Sequence, residues 1–172
     1  ISPEVHCWVY PAGHGTMNVV SGITNSCNEF FNNIGYQLGM QDGSYSSEYG
    51  LERLRKYAEM FGLGETSGLE IPEMDPKISD EDSVRSAMGQ GTNNYTTSQL
   101  ARYITAVANE GTLYELTLLD RVENVDGEVV EEYQNGEART IDGVSSSTWD
   151  AVHAGMAGVV KNSSVFTAIN AS

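Results

Sequence analysis

The stretch from Thr16 to Gly39 constrains the fold more than any other part of the chain. Apolar side chains recur there at intervals of three and four, which is the spacing of one buried helix face: Met17, Val20, Ile23, Cys27, Phe30, Phe31, Ile34 and Leu38. Short polar residues interrupt this pattern at 24–28, and such side chains compete with the backbone for hydrogen bonds. The pattern therefore predicts either one continuous helix, capped by Thr16 or Asn18, or two helices with a break at 24–28.

Three further helices and one β-hairpin follow from the same kind of pattern. Helices are predicted at about 48–61, 97–110 and 147–161, and the hairpin at 119–125 and 128–133, across an Asp-Gly turn. The helix at 97–110 has a predicted buried stripe: Leu100, Ile104, Val107 and Ala108. The sequence thus predicts an α+β chain that is mostly helical, with one hairpin.

The charge balance excludes two classes of partner. The 172 residues include 9 basic and 24 acidic side chains, giving a net charge of −15. A nucleic-acid-binding surface needs lysine and arginine to neutralise phosphates, and an anionic membrane surface would repel this chain. No apolar run reaches the ~20 residues of a membrane-spanning helix. We expect no nucleic-acid partner and no membrane contact from these residues.

Metal and cofactor motifs are not evident in the sequence. His6, His14 and His153 are far apart, and none has a partner at the usual ligand spacing, so no metal site is expected. No Gly-rich phosphate loop is present, so no cofactor is expected either. Cys7 and Cys27 are too few for a disulfide framework. A bridge between them stays open, although two free, partly buried thiols are favoured.

One triplet carries candidate catalytic chemistry. Ser26-Cys27-Asn28 is the sole Ser-x-Asn in the chain, which contains no Gly-x-Ser-x-Gly, Ser-x-x-Lys or Lys-Ser/Thr-Gly. A serine hydroxyl both accepts and donates a proton, so it can relay one to a leaving amine. An asparagine amide can hold a substrate amide. On the triplet alone, hydrogen bonding to the backbone at a helix break is the favoured role of Ser26 and Asn28.

The triplet belongs to an ordered series of motifs that resembles the transpeptidase domain of penicillin-binding proteins, the class B monofunctional type of Gram-positive bacteria. The series runs over about 1–160: Gly13-His14-Gly15, Ser26-Cys27-Asn28 with Phe30-Phe31, Phe61-Gly62-Leu63-Gly64 with Ile71-Pro72, Gly89-Gln90-Gly91 with Gln99-Leu100-Ala101, and Ala108-Asn109-Glu110-Gly111-Thr112. Residues 1–172 then resemble a partial domain between the family's Ser-x-x-Lys and Lys-Thr-Gly motifs. That part is the mostly helical lobe, without most of the central sheet.

The resemblance implies a function and two site residues. Members of the family cross-link peptidoglycan: an active-site serine attacks the D-Ala-D-Ala end of a stem peptide, and penicillins acylate the same serine. Ser26 maps to the proton relay and Asn28 to the substrate contact, whereas the family's base is a lysine, so His14 is interpreted as a structural hydrogen-bonding residue. The implied partners are the stem peptide, β-lactams and, in some members, a glycosyltransferase. The implied location is the outer face of the cytoplasmic membrane, with an anchor outside these residues.

Two alternatives stay open. A serine β-lactamase or β-lactam sensor shares the same motifs, and a non-catalytic helical scaffold or binding domain would have lost them. Because residues 1–172 contain neither Ser-x-x-Lys nor Lys-Thr/Ser-Gly, the isolated chain is expected to be inactive.

Overall fold

The computed structural model describes residues 6–133, 136 and 138–166. The chain divides into two compact units, one made of residues 1–56, 79–93 and 144–172 and the other of 57–78 and 94–143. The helices are α1 Val19–Thr24, α2 Asn28–Leu38, α3 Ser47–Met60, α4 Ser83–Ser86, α5 Thr97–Ala108 and α6 Ser146–Asn162, followed by a 3-10 turn at Ser164–Phe166. The strands are β1 Met40–Gln41, β2 Ser44–Tyr45, β3 Thr112–Tyr114, β4 Arg121–Glu123, β5 Val129–Glu132 and β6 Ala138–Thr140.

The expected mixed α+β fold is confirmed, and the strands form small sheets. In the described part of the chain they make three two-stranded antiparallel sheets, β1 with β2, β3 with β6 and β4 with β5. The β4–β5 hairpin is the one that the Asp126-Gly127 turn predicts. The other two pairs have strands of two or three residues, too short for an alternating pattern to be recognised.

The break between α1 and α2 settles the first alternative in favour of two helices. Asn18 caps α1, since its side chain accepts a hydrogen bond from the Ser21 backbone N–H at 2.9 Å, and the Ser21 hydroxyl accepts one from the Asn18 N–H. The chain then turns at Ser26, whose φ is +46°. α2 begins two residues later, at Asn28.

Helix α6 packs closely against α1, in the same unit, through its glycines. A Cβ atom at Gly155 would lie 2.7 Å from the Cβ of Ile23, and one at Gly158 would meet the Thr24 hydroxyl. The Thr24 hydroxyl donates a hydrogen bond of 3.1 Å to the Gly155 carbonyl. Because glycine has no side chain, α6 can approach the helix that ends just before Ser26.

Filling this contact is expected to destabilise the protein. Gly155→Val would force α1 and α6 apart, and overpacking of this kind costs about 1–3 kcal/mol of the free energy of unfolding. Urea unfolding measures the change. Ala154→Val on the same helix is the matched control, because Ala154 is exposed and its effect should stay within about 0.5 kcal/mol. Equal losses in both variants would show that the close approach contributes nothing.

Helix α5 buries a different face from the predicted one. A capping box of Thr96 and Gln99 starts the helix, as expected from the sequence. Its buried residues, however, are Gln99, Arg102, Ala106 and Val107. Of the predicted stripe, Val107 is buried, whereas Leu100 and Ile104 are 45% and 44% exposed and Ala108 is exposed as well. The prediction was wrong for these three side chains because Gln99 and Arg102 donate hydrogen bonds to the backbone carbonyls of Met74 and Tyr114, which places their face of the helix inward.

Among the described residues, none of the helices has both the length and the apolar character that crossing a membrane requires.

Candidate functional site

Ser26 presents its hydroxyl at the turn between α1 and α2. Its backbone N–H donates to the Ile23 carbonyl at 3.0 Å, and the N–H of Cys27 donates to the Gly22 carbonyl at 3.0 Å. These bonds hold the turn through the backbone alone. The Ser26 side chain is exposed, and its hydroxyl has no hydrogen-bond partner within the described residues. The serine is thus held in place while its hydroxyl stays available to a ligand.

Asn28 is the first residue of α2 and is half-buried. The N-terminus of a helix carries a partial positive charge and free backbone N–H groups. The Asn28 amide offers one acceptor and two donor hydrogens, and nothing in the described structure occupies them. The turn therefore brings a free hydroxyl and a free amide to the same helix end, and within the described residues the hydrogen bonds to the backbone that the triplet alone favours are not formed by these two side chains.

Cys27 separates the two polar residues and points into the protein. It is 2% exposed, and its Sγ lies 3.7 Å from the Sγ of Cys7, which is 3% exposed. Both cysteines are free thiols, which confirms the favoured alternative. Burial raises the pKa of the Cys27 thiol. Burial also acts to raise the pKa of the Cys7 thiol, but hydrogen bonds from backbone amides, that of Val9 first, outweigh it and lower the pKa.

His14 lies beside this pair of thiols. Its Nδ1 is 3.3 Å from the Cys7 Sγ, and its ring packs edge-on against the Trp8 indole. This contact is of the kind expected of a structural hydrogen-bonding residue, the role that the sequence predicts for His14. Trp8 in turn donates a hydrogen bond of 3.0 Å to the Asn25 carbonyl, immediately before Ser26. The segment from Cys7 to His14 therefore packs directly against the turn that carries the candidate site.

One expectation from the sequence needs correction. No histidine seemed to have a ligand partner, yet Cys7, His14 and Cys27 place their donor atoms within 4.8 Å of one another. Metal motifs are recognised in a sequence by ligands a few residues apart, whereas these three residues are brought together by a loop. A signal was present in Gly13-His14-Gly15, since both glycines adopt φ +70° and turn the chain at His14.

Comparison with known proteins decides the family. The family model of the penicillin-binding protein transpeptidase domain matches residues 2–171. The chain belongs to this family. Its similarity to penicillin-binding protein 2B of Streptococcus pneumoniae is 28% identity over 142 residues, which covers 77% of this chain and 21% of that protein. The chain thus spans about a fifth of the length of this curated transpeptidase relative.

Solved structures agree on the transpeptidase fold. Penicillin-binding protein A of Mycobacterium tuberculosis, in an imipenem acyl-enzyme complex, aligns with a TM-score of 0.70 and 19% identity, over 87% of this chain and 32% of that one. A chain from a peptidoglycan synthase complex that coordinates polymerisation and crosslinking aligns with a TM-score of 0.68 and 24% identity, over 85% and 24%. These likenesses support the predicted lobe of a transpeptidase domain.

Proposed function

We propose that this chain is part of a D,D-transpeptidase that cross-links peptidoglycan stem peptides, with Ser26 and Asn28 in its active site. The observation that carries the proposal is the turn at Ser26, which leaves a hydroxyl and a neighbouring amide free in a chain of the transpeptidase family. A serine held by its backbone alone keeps its hydroxyl free to accept a proton and to pass it on, which suits proton relay.

The reaction proceeds in two acyl transfers. A nucleophilic serine outside residues 1–172 attacks the carbonyl between the two terminal D-Ala residues, the C–N bond breaks, and D-Ala leaves as the amine. Ser26 passes a proton to that leaving amine, and the Asn28 side chain holds the amide of the stem peptide. An amine of a second strand then attacks the ester, which forms the cross-link and frees the serine. No cofactor takes part in these steps.

The same arrangement suits β-lactams, which would acylate the same serine and leave no amine to depart. In the complete protein we place the domain between a Ser-x-x-Lys and a Lys-Thr-Gly motif, on the outer face of the cytoplasmic membrane. The likeness to a chain of a peptidoglycan synthase complex supports a glycosyltransferase as a partner. The following experiment distinguishes this function from the two alternatives, a β-lactamase or sensor and a non-catalytic scaffold.

Labelling with a fluorescent penicillin tests the proposal. The complete protein is expected to form one stable adduct, mapped by mass spectrometry to a serine outside residues 1–172, and to release D-Ala from a stem-peptide donor only with transfer to an acceptor amine. Residues 1–172 alone should form no adduct. Rapid hydrolysis of the adduct would instead indicate a β-lactamase, and a complete protein without any adduct would be a scaffold. An adduct on the isolated chain would also contradict the proposal.

A further inference from the structure

We propose that Cys7, His14 and Cys27 form a zinc site that fixes the turn carrying Ser26. Two thiols and one imidazole are a donor set typical of zinc, which prefers sulfur and nitrogen ligands in tetrahedral geometry. The three donor atoms lie within 4.8 Å of one another. This inference does not depend on acyl transfer, because metal binding is measured directly.

Two of the distances between the donor atoms match those of a tetrahedron around one ion, and the third is within 4.8 Å. Zn–S bonds of about 2.3 Å and Zn–N bonds of about 2.0–2.1 Å place two sulfurs about 3.8 Å apart, and a sulfur and a nitrogen about 3.5 Å apart. The observed Sγ–Sγ distance is 3.7 Å, and the distance from Cys7 Sγ to His14 Nδ1 is 3.3 Å.

The surroundings of the three residues also suit a metal ion. Cys7 and Cys27 are almost fully buried, so bulk water does not compete with their thiols for an ion. His14 is half-buried, so one side of the cluster is open to solvent. Despite burial, backbone amides near the Cys7 sulfur, that of Val9 foremost, lower the pKa of its thiol. Such amides offset the negative charge of a metal-bound thiolate. The zinc site would therefore have three protein ligands and one open coordination position.

The site would act as a clamp on the candidate active-site turn. Cys27 stands between Ser26 and Asn28, and the other two ligands lie in the segment before α1. An ion bound to all three residues ties that segment to the start of α2. Because the ion binds the folded state, it should raise thermal stability in proportion to the logarithm of its concentration.

Metal analysis of the complete protein, purified without chelators, tests the site. We expect about one zinc per chain, and after chelation one Co²⁺ that gives the near-ultraviolet thiolate-to-cobalt band of tetrahedral sites. Cys7→Ser and His14→Ala are each expected to weaken zinc binding more than about tenfold. His6→Ala is the matched control, because this exposed histidine lies next to Cys7 but stacks on Tyr10 and stays outside the cluster.

Further measurements keep the test decisive if a variant folds poorly. His14→Cys retains a zinc ligand and should restore metal binding, with a cobalt spectrum that shows an added thiolate. In the unaltered protein, zinc should slow the reaction of both thiols with a thiol reagent. The proposal is overturned if the protein takes up no zinc, if cobalt gives no thiolate band, or if His6→Ala weakens binding as much as His14→Ala. It is overturned equally if Cys7 and Cys27 are isolated as a disulfide.

Discussion

Replacing Ser26 by alanine in the complete protein is expected to slow acylation by penicillin about 10²–10⁴-fold, the range that general acid–base groups contribute. The methyl group keeps the size of the side chain but cannot relay a proton. The backbone bonds at the turn, from Ser26 to Ile23 and from Cys27 to Gly22, are retained, so the fold should survive. Stopped-flow measurement of the second-order acylation rate constant checks the result.

Ser26→Gly separates catalysis from stability. Ser26 adopts φ +46°, a left-handed conformation that costs an L-residue about 1–2 kcal/mol and costs glycine almost nothing. Glycine loses about 0.5–1 kcal/mol more in chain entropy, so the variant should be as stable as the original or up to about 1.5 kcal/mol more stable. Its acylation rate constant should nevertheless fall by the same factor as that of Ser26→Ala. A stable but slow variant is the signature of a side chain that acts on the substrate.

A control on the same helix completes the test. Asn28→Ala should slow acylation because the substrate amide loses its partner, whereas Asn33→Ala, an exposed position of α2, should leave the rate unchanged. Full acylation rates in both Ser26 variants would exclude the hydroxyl from the reaction. The turn would then have only a structural role, as the triplet taken alone suggests.

Arg102→Ala is expected to lower the free energy of unfolding by about 1.5–3 kcal/mol, since the variant loses the hydrogen bonds that a buried guanidinium donates. Arg102 is 5% exposed. Its Nε donates to the Tyr114 carbonyl at 2.6 Å, and its Nη1 donates to the Thr66 carbonyl at 3.2 Å and to Glu65 at 3.0 Å. One guanidinium thus joins α5, β3 and the loop after α3 within the second unit. Chemical unfolding measures the loss.

Arg139→Ala provides the matched control. Arg139 binds the same Glu65 carboxylate at 2.7 Å, but about half of its side chain is exposed. Exposed ion pairs contribute about 0–1 kcal/mol, so this variant should differ little from the original protein. If Arg102→Ala also lost less than about 1 kcal/mol, the carbonyl bonds of the buried guanidinium would be replaceable by water.

Local chemistry made much of this protein predictable from the sequence. Short polar side chains gave a break at 24–28 as one of two alternatives, the Thr96 and Gln99 capping box predicted the start of α5, and Asp126-Gly127 predicted the β4–β5 hairpin. In each case the residues that decide the structure are within a few positions of one another. The series of motifs around Ser26-Cys27-Asn28 likewise identified the family, because motif order needs no knowledge of the fold.

The buried face of α5 could not be predicted in this way. Its apolar spacing favoured Leu100 and Ile104, but the burial of Arg102 depends on carbonyls that the chain supplies 12 and 36 residues away. A polar side chain is buried only where such partners meet it, and helical periodicity carries no information about them.

The sequence by itself determined the Asp126-Gly127 turn, the capped start of α5 and the membership in a transpeptidase family, since these rest on neighbouring residues and on motif order. The tertiary structure alone decided which side chains meet. It brought Cys7 and His14 to Cys27 across 20 and 13 residues and set the glycines of α6 against α1. Contacts between distant residues depend on how loops close and helices pack, and the free energies of these arrangements are not encoded in any short segment.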